Sequence, residues 1–363
     1  MFSSLFKKKQ ISEIIPFDSE TKKLFEEGNL HYREGNLDKA LEIYETCLKH
    51  NTFIPDIHNN KGEIFLLKNG IDSACEIFKE ITEKFPDYPC GHYNMGIIYQ
   101  KKGERKKALK EFNKAIKLEP SARFYNGLSS VYCDEGNFDR AIICLEKALK
   151  IDRLYRMSYI NLSKVYLIQK KFNGAIKACE KALEISPGDS AVYNQLGRIY
   201  QSAGDFDRAI EFYLKVLEIS PEMVQSHYSL SALYEQKKLY SKAIYHGRLY
   251  LTATEQDLKD TAVYRELKEK LGKLEKSPEF YVEQGAAYMT QERDEDAEEL
   301  WKKALETDPS FVSANILLGG LYEKKGNFIK ASAEYKRVLE LRPDMEGIKK
   351  SLEEIFKRVK SEG

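Results

Sequence analysis

The sequence predicts an all-α fold in which helical hairpins follow one another as a linear array. The first observation is a recurring phrase: GDFDRAIEFY at 204–213 is nearly repeated by GNFDRAIICL at 136–145, 68 residues earlier. Two further copies, GNLDKALEIY from Gly35 and GNFIKASAEY from Gly326, give a repeat of 34 residues. The second observation is that apolar residues recur every three or four positions in two runs of about a dozen per repeat, separated by turns such as DEGN or SAGD. Each repeat is therefore predicted to be a pair of helices.

Composition excludes several classes of protein. At 363 residues the chain is long for one compact core, but a linear array grows by adding repeats. Its 58 basic and 57 acidic side chains balance, so there is no bulk field that favours nucleic acid. The six cysteines form no Cys-x-x-Cys pair, which predicts buried thiols in a reducing compartment rather than disulfides or a zinc site.

The repeats divide the chain into an ordered series with one interruption. We place nine repeats, at 21–54, 55–88, 89–121, 122–155, 156–189, 190–223, 224–257, 278–311 and 312–345. Seven of them form the segment 21–257 and two form 278–345, with an insertion at 258–277 between the segments. Residues 346–363 are predicted to form a helix that caps the array.

The insertion is predicted to be a single extra helix, because its apolar residues have helical spacing. These residues are Val263, Leu267, Leu271 and Leu274. In the preceding repeat, Gly247 stands where other repeats have a large apolar residue, and Tyr250 stands where they have a small one, which we interpret as a volume swap. Two interpretations of the extra helix stay open: it bends the array, or it stacks without functional consequence.

Residues 1–20 precede the first repeat and are predicted to be a flexible tail. The alternative is a weak membrane or partner anchor, which leaves peripheral membrane contact open. In that alternative Phe2, Leu5 and Phe6 insert beside Lys7, Lys8 and Lys9. Because no stretch approaches about 18 apolar residues, we predict no membrane-spanning helix and a cytoplasmic protein, with attachment to a membrane-associated complex as the alternative.

Three positions of the repeat are fixed in size. The twentieth is Ala in all nine repeats, the eighth is Gly or Ser, and the eleventh is Tyr in seven. Small residues on both helices predict a close approach of their axes, with the rings filling the remaining gaps. Enlarging one of them, as in Ala209→Leu, is expected to overpack the hairpin at a cost of about 1–3 kcal/mol.

A small eighth residue, an aromatic eleventh, Ala at twenty and Pro at thirty-two together resemble the tetratricopeptide repeat family, whose period is 34 residues. The resemblance covers about 325 residues of the chain. It implies a right-handed α-solenoid with a concave face lined by the first helix of each hairpin. It also implies a capping helix, which EGIKKSLEEIFKRVKS at 346–361 supplies.

The resemblance assigns the concave face to positions 2, 5, 6, 9 and 12 of each repeat. On this basis amides form a row at Asn59, Asn60, Asn94, Asn126, Asn161 and Asn194, beside Arg123, Lys164, Arg198, Tyr93 and Tyr228. An amide offers one acceptor and two donors, so such a row can bind a peptide backbone without regard to its sequence. The alternative is that Asn is common at this position in the family. A second face of opposite charge is predicted at Glu279, Glu283 and Glu323.

The sequence contains no Gly-rich phosphate loop, His-Glu-x-x-His or Gly-x-Ser-x-Gly motif, so we predict that the chain is not an enzyme and has no cofactor or metal. His58, His92 and His227 are predicted to pack rather than to bind a metal, because they belong to different hairpins. The predicted function is a non-enzymatic scaffold that binds a peptide or partner protein in the concave groove, either alone or as one subunit of a larger assembly. The alternatives are a regulatory or substrate-recruiting partner of a separate enzyme and, with less support, an RNA-binding helical repeat.

Overall fold

A computed structural model describes residues 19–50 and 54–362, and within these ranges every regular element is an α-helix, which confirms the predicted fold class. The twenty helices of this part of the chain are α1 (Ser19–Arg33), α2 (Leu37–His50), α3 (Pro55–Leu67), α4 (Ile71–Lys84), α5 (Pro89–Lys101), α6 (Arg105–Leu118), α7 (Ala122–Asp134), α8 (Phe138–Ile151), α9 (Arg156–Ile168), α10 (Phe172–Ile185), α11 (Ser190–Ala203), α12 (Phe206–Ile219), α13 (Gln225–Gln236), α14 (Tyr240–Leu258), α15 (Ala262–Leu274), α16 (Pro278–Met289), α17 (Asp294–Thr307), α18 (Val312–Lys324), α19 (Phe328–Leu341) and α20 (Glu346–Glu362).

The chain divides into two compact blocks, the N-terminal block up to Pro187 and the C-terminal block from Gly188. In the N-terminal block, α1 to α10 form five hairpins, and the second helix of each of the first four also packs against the first helix of the next. The first helices α3, α5, α7 and α9 contact one another in sequence, so they form a continuous layer, which we call the first-helix face.

The C-terminal block holds four hairpins and two single helices. Its hairpins are α11/α12, α13/α14, α16/α17 and α18/α19, while α15 packs against α14 and α20 packs against α19. Helix α14 also contacts α16, so the single helix α15 lies beside the stack without separating the hairpins on either side of it.

The recurring phrase is the turn and capping signal of the hairpin. Gly204 ends α11 with a left-handed φ of 83°, a conformation that costs glycine little. Asp205 then caps α12 by accepting a hydrogen bond from the Arg208 amide at 3.2 Å. Asn137 and Asn327 cap α8 and α19 in the same way, at 3.2 and 3.1 Å. The phrase recurs because every hairpin makes the same left-handed reversal, and in these three it also supplies the side-chain cap, which α4, α6, α10, α14 and α17 lack.

The cores of the hairpins depend on small residues packed against rings. The alanine at position twenty is fully buried in all nine repeats. Where position eight is Gly, an added Cβ would lie within 3.0 Å of the aromatic ring at position twenty-four. This contact joins Gly28 to Tyr44, Gly62 to Phe78, Gly96 to Phe112, Gly197 to Tyr213, Gly285 to Trp301 and Gly319 to Tyr335. Where position eight is Ser, in repeats four, five and seven, position twenty-four is Leu145, Cys179 or Gly247. The glycine and the ring therefore form one complementary pair.

The single helices have apolar faces that differ in part from the sequence prediction. In α15, Leu267 and Leu271 are buried as predicted, but Tyr264 is buried in place of Val263, which is half exposed. In α20, Ile355 is buried, whereas Phe356 and Val359 are 43% and 46% exposed because α20 packs mainly against α19. None of the six cysteines forms a disulfide, and no helix in the described ranges combines the length and apolar character needed to cross a bilayer.

Candidate functional site

The predicted asparagine row lies on the first-helix face, but its amides bond to one another. Asn60 Nδ2 donates to Asn29 Oδ1 at 2.8 Å, and Asn161 Nδ2 donates to Asn126 Oδ1 at 3.0 Å. Asn94 Nδ2 donates to Asn59 Oδ1 at 2.7 Å. Each bond joins the first helices of consecutive hairpins, so the amides use part of their hydrogen-bonding capacity inside the protein.

A half-buried carboxylate, Glu63 on α3 with its side chain 16% exposed, organises the half of this face nearer the N-terminus. Its Oε1 accepts from Arg123 Nη2 at 2.8 Å and from the Nδ2 groups of Asn59 and Asn94 at 3.2 Å each. Its Oε2 accepts from the Tyr32 hydroxyl at 3.1 Å. Burial by itself would raise the pKa of Glu63, but the Arg123 charge and these hydrogen bonds outweigh it, so the pKa is lowered and the carboxylate stays charged.

Several residues predicted to bind a partner belong instead to this internal network. Asn94 is fully buried and Tyr93 is 8% exposed, so the prediction that they face a groove is wrong. The reason is that Arg123 reaches across α5, lies 4.6 Å above the Tyr93 ring and closes over both residues to meet Glu63. The positive charge of Arg123 is thereby neutralised inside the protein. Asn60 is half buried and bonded to Asn29 and to the Tyr44 hydroxyl.

The other half of the face, on α7 and α9, is more accessible. Asn126 and Asn161 are half buried, unlike the fully enclosed Asn94, and Lys164 is exposed one turn further along α9. Lys164 Nζ lies 3.4 Å from Asn161 Oδ1. Beneath them Ile160 is 5% exposed and supports the surface without contributing to it. This cluster of two amides and one ammonium group is the part of the predicted site that can meet a ligand in the N-terminal block.

The remaining predicted residues lie in the C-terminal block. Asn194 is half exposed and Arg198 exposed on α11, one turn apart. Tyr228 on α13 is half buried, and its ring centroid lies 5.2 Å from that of Tyr250, so it packs on the apolar cluster shared by α14 and α15. Tyr228 is therefore part of the core of repeat seven.

The predicted acidic face is partly used for internal bonds. Glu283 Oε2 accepts from the backbone amide of Ser241 at 3.0 Å, so it satisfies an amide in the first turn of α14. Glu323 Oε2 accepts from the Tyr335 hydroxyl at 3.2 Å, and burial together with Glu323 raises the pKa of Tyr335 to about 12. Glu279 is half buried at the start of α16. The three side chains are all half buried, which reduces the carboxylate surface that is accessible to a partner.

Sequence reasoning missed Glu63, although a signal was present. Glu63 occupies position nine of repeat two, and Arg123 occupies position two of repeat four, so both fall on positions assigned to the first-helix face. A lone acid in a row of amides, with a base on the same face, predicts an ion pair. Among the residues that the structure describes, no three histidine, cysteine, aspartate or glutamate side chains converge on a point where they could hold a metal ion.

Comparisons with curated proteins find partial matches. A UDP-N-acetylglucosamine–peptide N-acetylglucosaminyltransferase of Giardia intestinalis is 28% identical over 172 residues, which is 44% of this chain and 12% of that protein. The photosystem I assembly protein Ycf3 of Prochlorococcus marinus is 32% identical over 107 residues, which is 26% of this chain and 57% of that protein. The chain therefore spans about one eighth and just over half of the lengths of these two relatives.

Solved structures share the fold at low sequence identity. A tetratricopeptide repeat protein from Parabacteroides merdae superposes with a TM-score of 0.52 at 16% identity, over 71% of this chain and 99% of that one. PilW, a type IV pilus biogenesis factor, gives the same TM-score and identity over 59% of this chain and 97% of its own.

Sequence profiles of the tetratricopeptide repeat cover most of the chain. One profile matches residues 25–89, 194–257 and 282–346, and others match 89–121, 122–153 and 154–222. Together with the hairpins, the caps and the glycine–ring contacts, these matches show that the chain belongs to the tetratricopeptide repeat family.

Proposed function

We propose that this chain is a non-enzymatic scaffold that binds an extended segment of a partner protein on the first-helix face of its N-terminal block, at α7 and α9. The observation that carries the proposal is the half-buried pair Asn126 and Asn161, joined at 3.0 Å, with exposed Lys164 beside it. Membership of the tetratricopeptide repeat family favours a protein-interaction role, and the accessible amides and ammonium group support placing the proposed site at α7 and α9.

The chemistry of the pair suits a peptide backbone. One Asn161 donor and the Asn126 acceptor serve the bond between them, and an amide carries a further donor that can meet a peptide carbonyl. Lys164 places a positive charge at the same surface, which favours a segment with acidic side chains. Because the helices that carry these groups are already packed, little backbone entropy is lost by the scaffold when the segment binds.

The test is affinity purification from the native cells, comparing the wild type with the variant Asn126→Ala/Asn161→Ala/Lys164→Ala. The matched control is Asn173→Ala/Lys177→Ala, which removes the same types of side chain from the exposed surface of α10. We expect one or more proteins to be lost from the first variant and retained by the control, with unchanged helical content in circular dichroism. If both variants retain the same proteins as the wild type, the proposed site is wrong.

A second candidate is a recruiting arm for a separate enzyme. It is favoured by the 172 residues that are 28% identical to a protein named as a peptide N-acetylglucosaminyltransferase. In that case an enzymatic activity co-purifies with the wild type and is lost with the α7/α9 variant. A purified chain that retains its protein partners and brings down no such activity excludes the second candidate while leaving the first intact.

A further inference from the structure

Helix α6 differs in charge from every other second helix of a hairpin. It carries six basic residues and one acidic residue, a net charge of +5. The net charges of the other second helices, α2, α4, α8, α10, α12, α14, α17 and α19, lie between −4 and +1. A concentration of like charge on one helix has an electrostatic cost, so it calls for a physical reason.

The charge of α6 is displayed outward. Its single acid, Glu111, turns into the hairpin, where its Oε2 lies 2.6 Å from His92 Nδ1. Lys107 is paired with Glu104 at the start of the helix and lies over the Tyr99 ring. The remaining lysines are exposed, and none has an ion-pair partner within the described part of the chain. They are Lys106, Lys110, Lys114 and Lys117, spaced along one side of α6.

Some outward lysines on other second helices are neutralised within their own helix. Lys84 pairs with Glu80 at 2.7 Å on α4, and Lys215 pairs with Glu211 at 2.8 Å on α12. On α10 Lys181 pairs with Glu184 at 2.8 Å. The row on α6 lacks such carboxylates, so its four charges are available to an anionic partner.

Aliphatic side chains are exposed on the next second helix of the stack. Ile143 and Ile151 on α8 are 50% and 47% exposed, and Leu154, in the turn that follows, is 71% exposed. Ile143 occupies in repeat four the position that Lys110 occupies in repeat three. The outer surface of these two hairpins therefore combines unpaired lysines with protruding aliphatic groups.

We propose that this surface, which we call the α6/α8 outer surface, docks on an anionic lipid bilayer. The lysines face the lipid phosphates and carboxylates, and Ile143, Ile151 and Leu154 enter the interfacial layer. A bilayer accounts for both the unpaired lysines and the protruding aliphatic groups. Aliphatic side chains are stabilised when they enter the bilayer interface, whereas a nucleic acid backbone would not stabilise them. Each lysine near an anionic surface raises the partition coefficient of the protein onto the membrane about fivefold. Four lysines alone therefore bind weakly, and the aliphatic side chains supply the second attachment that stable membrane binding requires.

The test is co-sedimentation of the full chain with vesicles of phosphatidylcholine, with and without phosphatidylserine. Wild type is expected to bind only the phosphatidylserine vesicles, and to be released by added salt. The variant Lys110→Glu/Lys114→Glu is expected to bind at least about 25-fold more weakly, as the loss of two lysines at about fivefold each requires. The matched control is Lys177→Glu/Lys181→Glu on α10, at the same repeat positions and with the same change of charge, and it is expected to bind like the wild type.

Several results would overturn the proposal. Binding that is absent, or that falls equally in both variants, removes any role for the α6/α8 outer surface. A loss seen only on reversing Lys7, Lys8 and Lys9 assigns the contact to the N-terminal segment instead. Retention of labelled RNA, but not of vesicles, by the lysine row replaces the lipid with a nucleic acid.

If Lys110→Glu/Lys114→Glu alters the helical content, Lys106→Glu/Lys117→Glu repeats the test at the two ends of the row. A further variant, Leu154→Ser, is expected to weaken vesicle binding without changing its dependence on salt.

Discussion

Leu271 lies over Gly247, in the space that an aromatic ring fills in six other hairpins. A Cβ added to Gly247 would stand 2.6 Å from Leu271 Cδ1 and 2.9 Å from Cδ2. Gly247 occupies position twenty-four of repeat seven, where six other repeats have Tyr, Phe or Trp. Helix α15 therefore supplies the bulk that its neighbour lacks, and the predicted volume swap between Gly247 and Tyr250 involves a third residue from the insertion.

Truncating Leu271 is expected to destabilise the C-terminal block. Leu271 is 4% exposed, so Leu271→Ala leaves a cavity against Gly247 at a cost of about 2–5 kcal/mol. Denaturant unfolding followed by circular dichroism measures the cost. The control is Val263→Ala on the same helix, where the side chain is half exposed and the effect is expected to be within about 0.5 kcal/mol.

Gly247→Ala is expected to destabilise the wild type and to cost much less in the Leu271→Ala background. The added methyl collides with Leu271, and with Ser231 Oγ at 2.9 Å, so removing Leu271 relieves the larger part of the conflict. Unfolding free energies of the two single variants and the double variant give the coupling energy. Additive costs would mean that α15 does not occupy the space above Gly247.

The glycine–ring contact predicts opposite effects for one substitution at two glycines. Gly197→Ala places a methyl 2.9 Å from the Tyr213 ring, which is fully buried and cannot retreat, so a loss of about 1–3 kcal/mol is expected. Gly272→Ala on α15 meets no atom within 4 Å and gains helix propensity, so a stabilisation of about 0.5–1 kcal/mol is expected. Thermal unfolding of both variants measures the difference, and a loss at Gly272 comparable with that at Gly197 contradicts this account.

The hairpins could be predicted from the sequence because each one is encoded locally. The turn, the cap and the apolar spacing that start α12 all lie within GDFDRAIEFY, so periodicity alone locates the helices. The fate of the asparagine row could not be predicted in this way. Asn94 and Asn161 occupy the same position of the repeat, yet one is buried and the other half buried, because only Asn94 has Glu63 and Arg123 closing over it from neighbouring repeats. Such a difference depends on which residues of different repeats meet, and the spacing within one repeat does not encode that.

The difference between Asn94 and Asn161 predicts that the Glu63 network around Asn94 stabilises the fold and that Asn161 contributes little to stability. Glu63→Gln leaves the guanidinium of Arg123 without its counter-charge and is expected to cost about 3 kcal/mol, the lower end for a buried pair because the Arg123 side chain is 30% exposed. Asn161→Ala removes one half-buried amide and is expected to change stability by less than about 0.5 kcal/mol. Urea unfolding of the two variants tests this contrast. Equal losses would show that the α7/α9 amides are structural too.

The pair His227 and His246 is expected to make the α13/α14 hairpin sensitive to acid. Their Nδ1 atoms lie 2.8 Å apart, so one ring donates, the other accepts, and the contact tolerates at most one imidazolium. Burial, with lesser contributions from His227 and Lys242, lowers the pKa of His246 to about 4, and burial also lowers the pKa of His227. Because the unfolded chain binds protons near pH 6.5 and the hairpin does not, stability is lost as the pH falls from about 6.5 to 4, by about 1–3 kcal/mol.

Repeat three supplies the comparison, because there the same two positions hold His92 and Glu111, whose Nδ1 and Oε2 atoms lie 2.6 Å apart. His246→Glu transfers that arrangement to repeat seven and gives His227 a carboxylate instead of a second imidazole. Amide hydrogen exchange of α13 and α14, measured at pH 7 and pH 5 and corrected for the intrinsic rate, reports the opening of this hairpin alone. We expect protection to fall at pH 5 in the wild type and to fall less in His246→Glu, since an imidazolium at position 227 then gains a partner. The same loss in both proteins would assign the acid sensitivity to other groups of the C-terminal block.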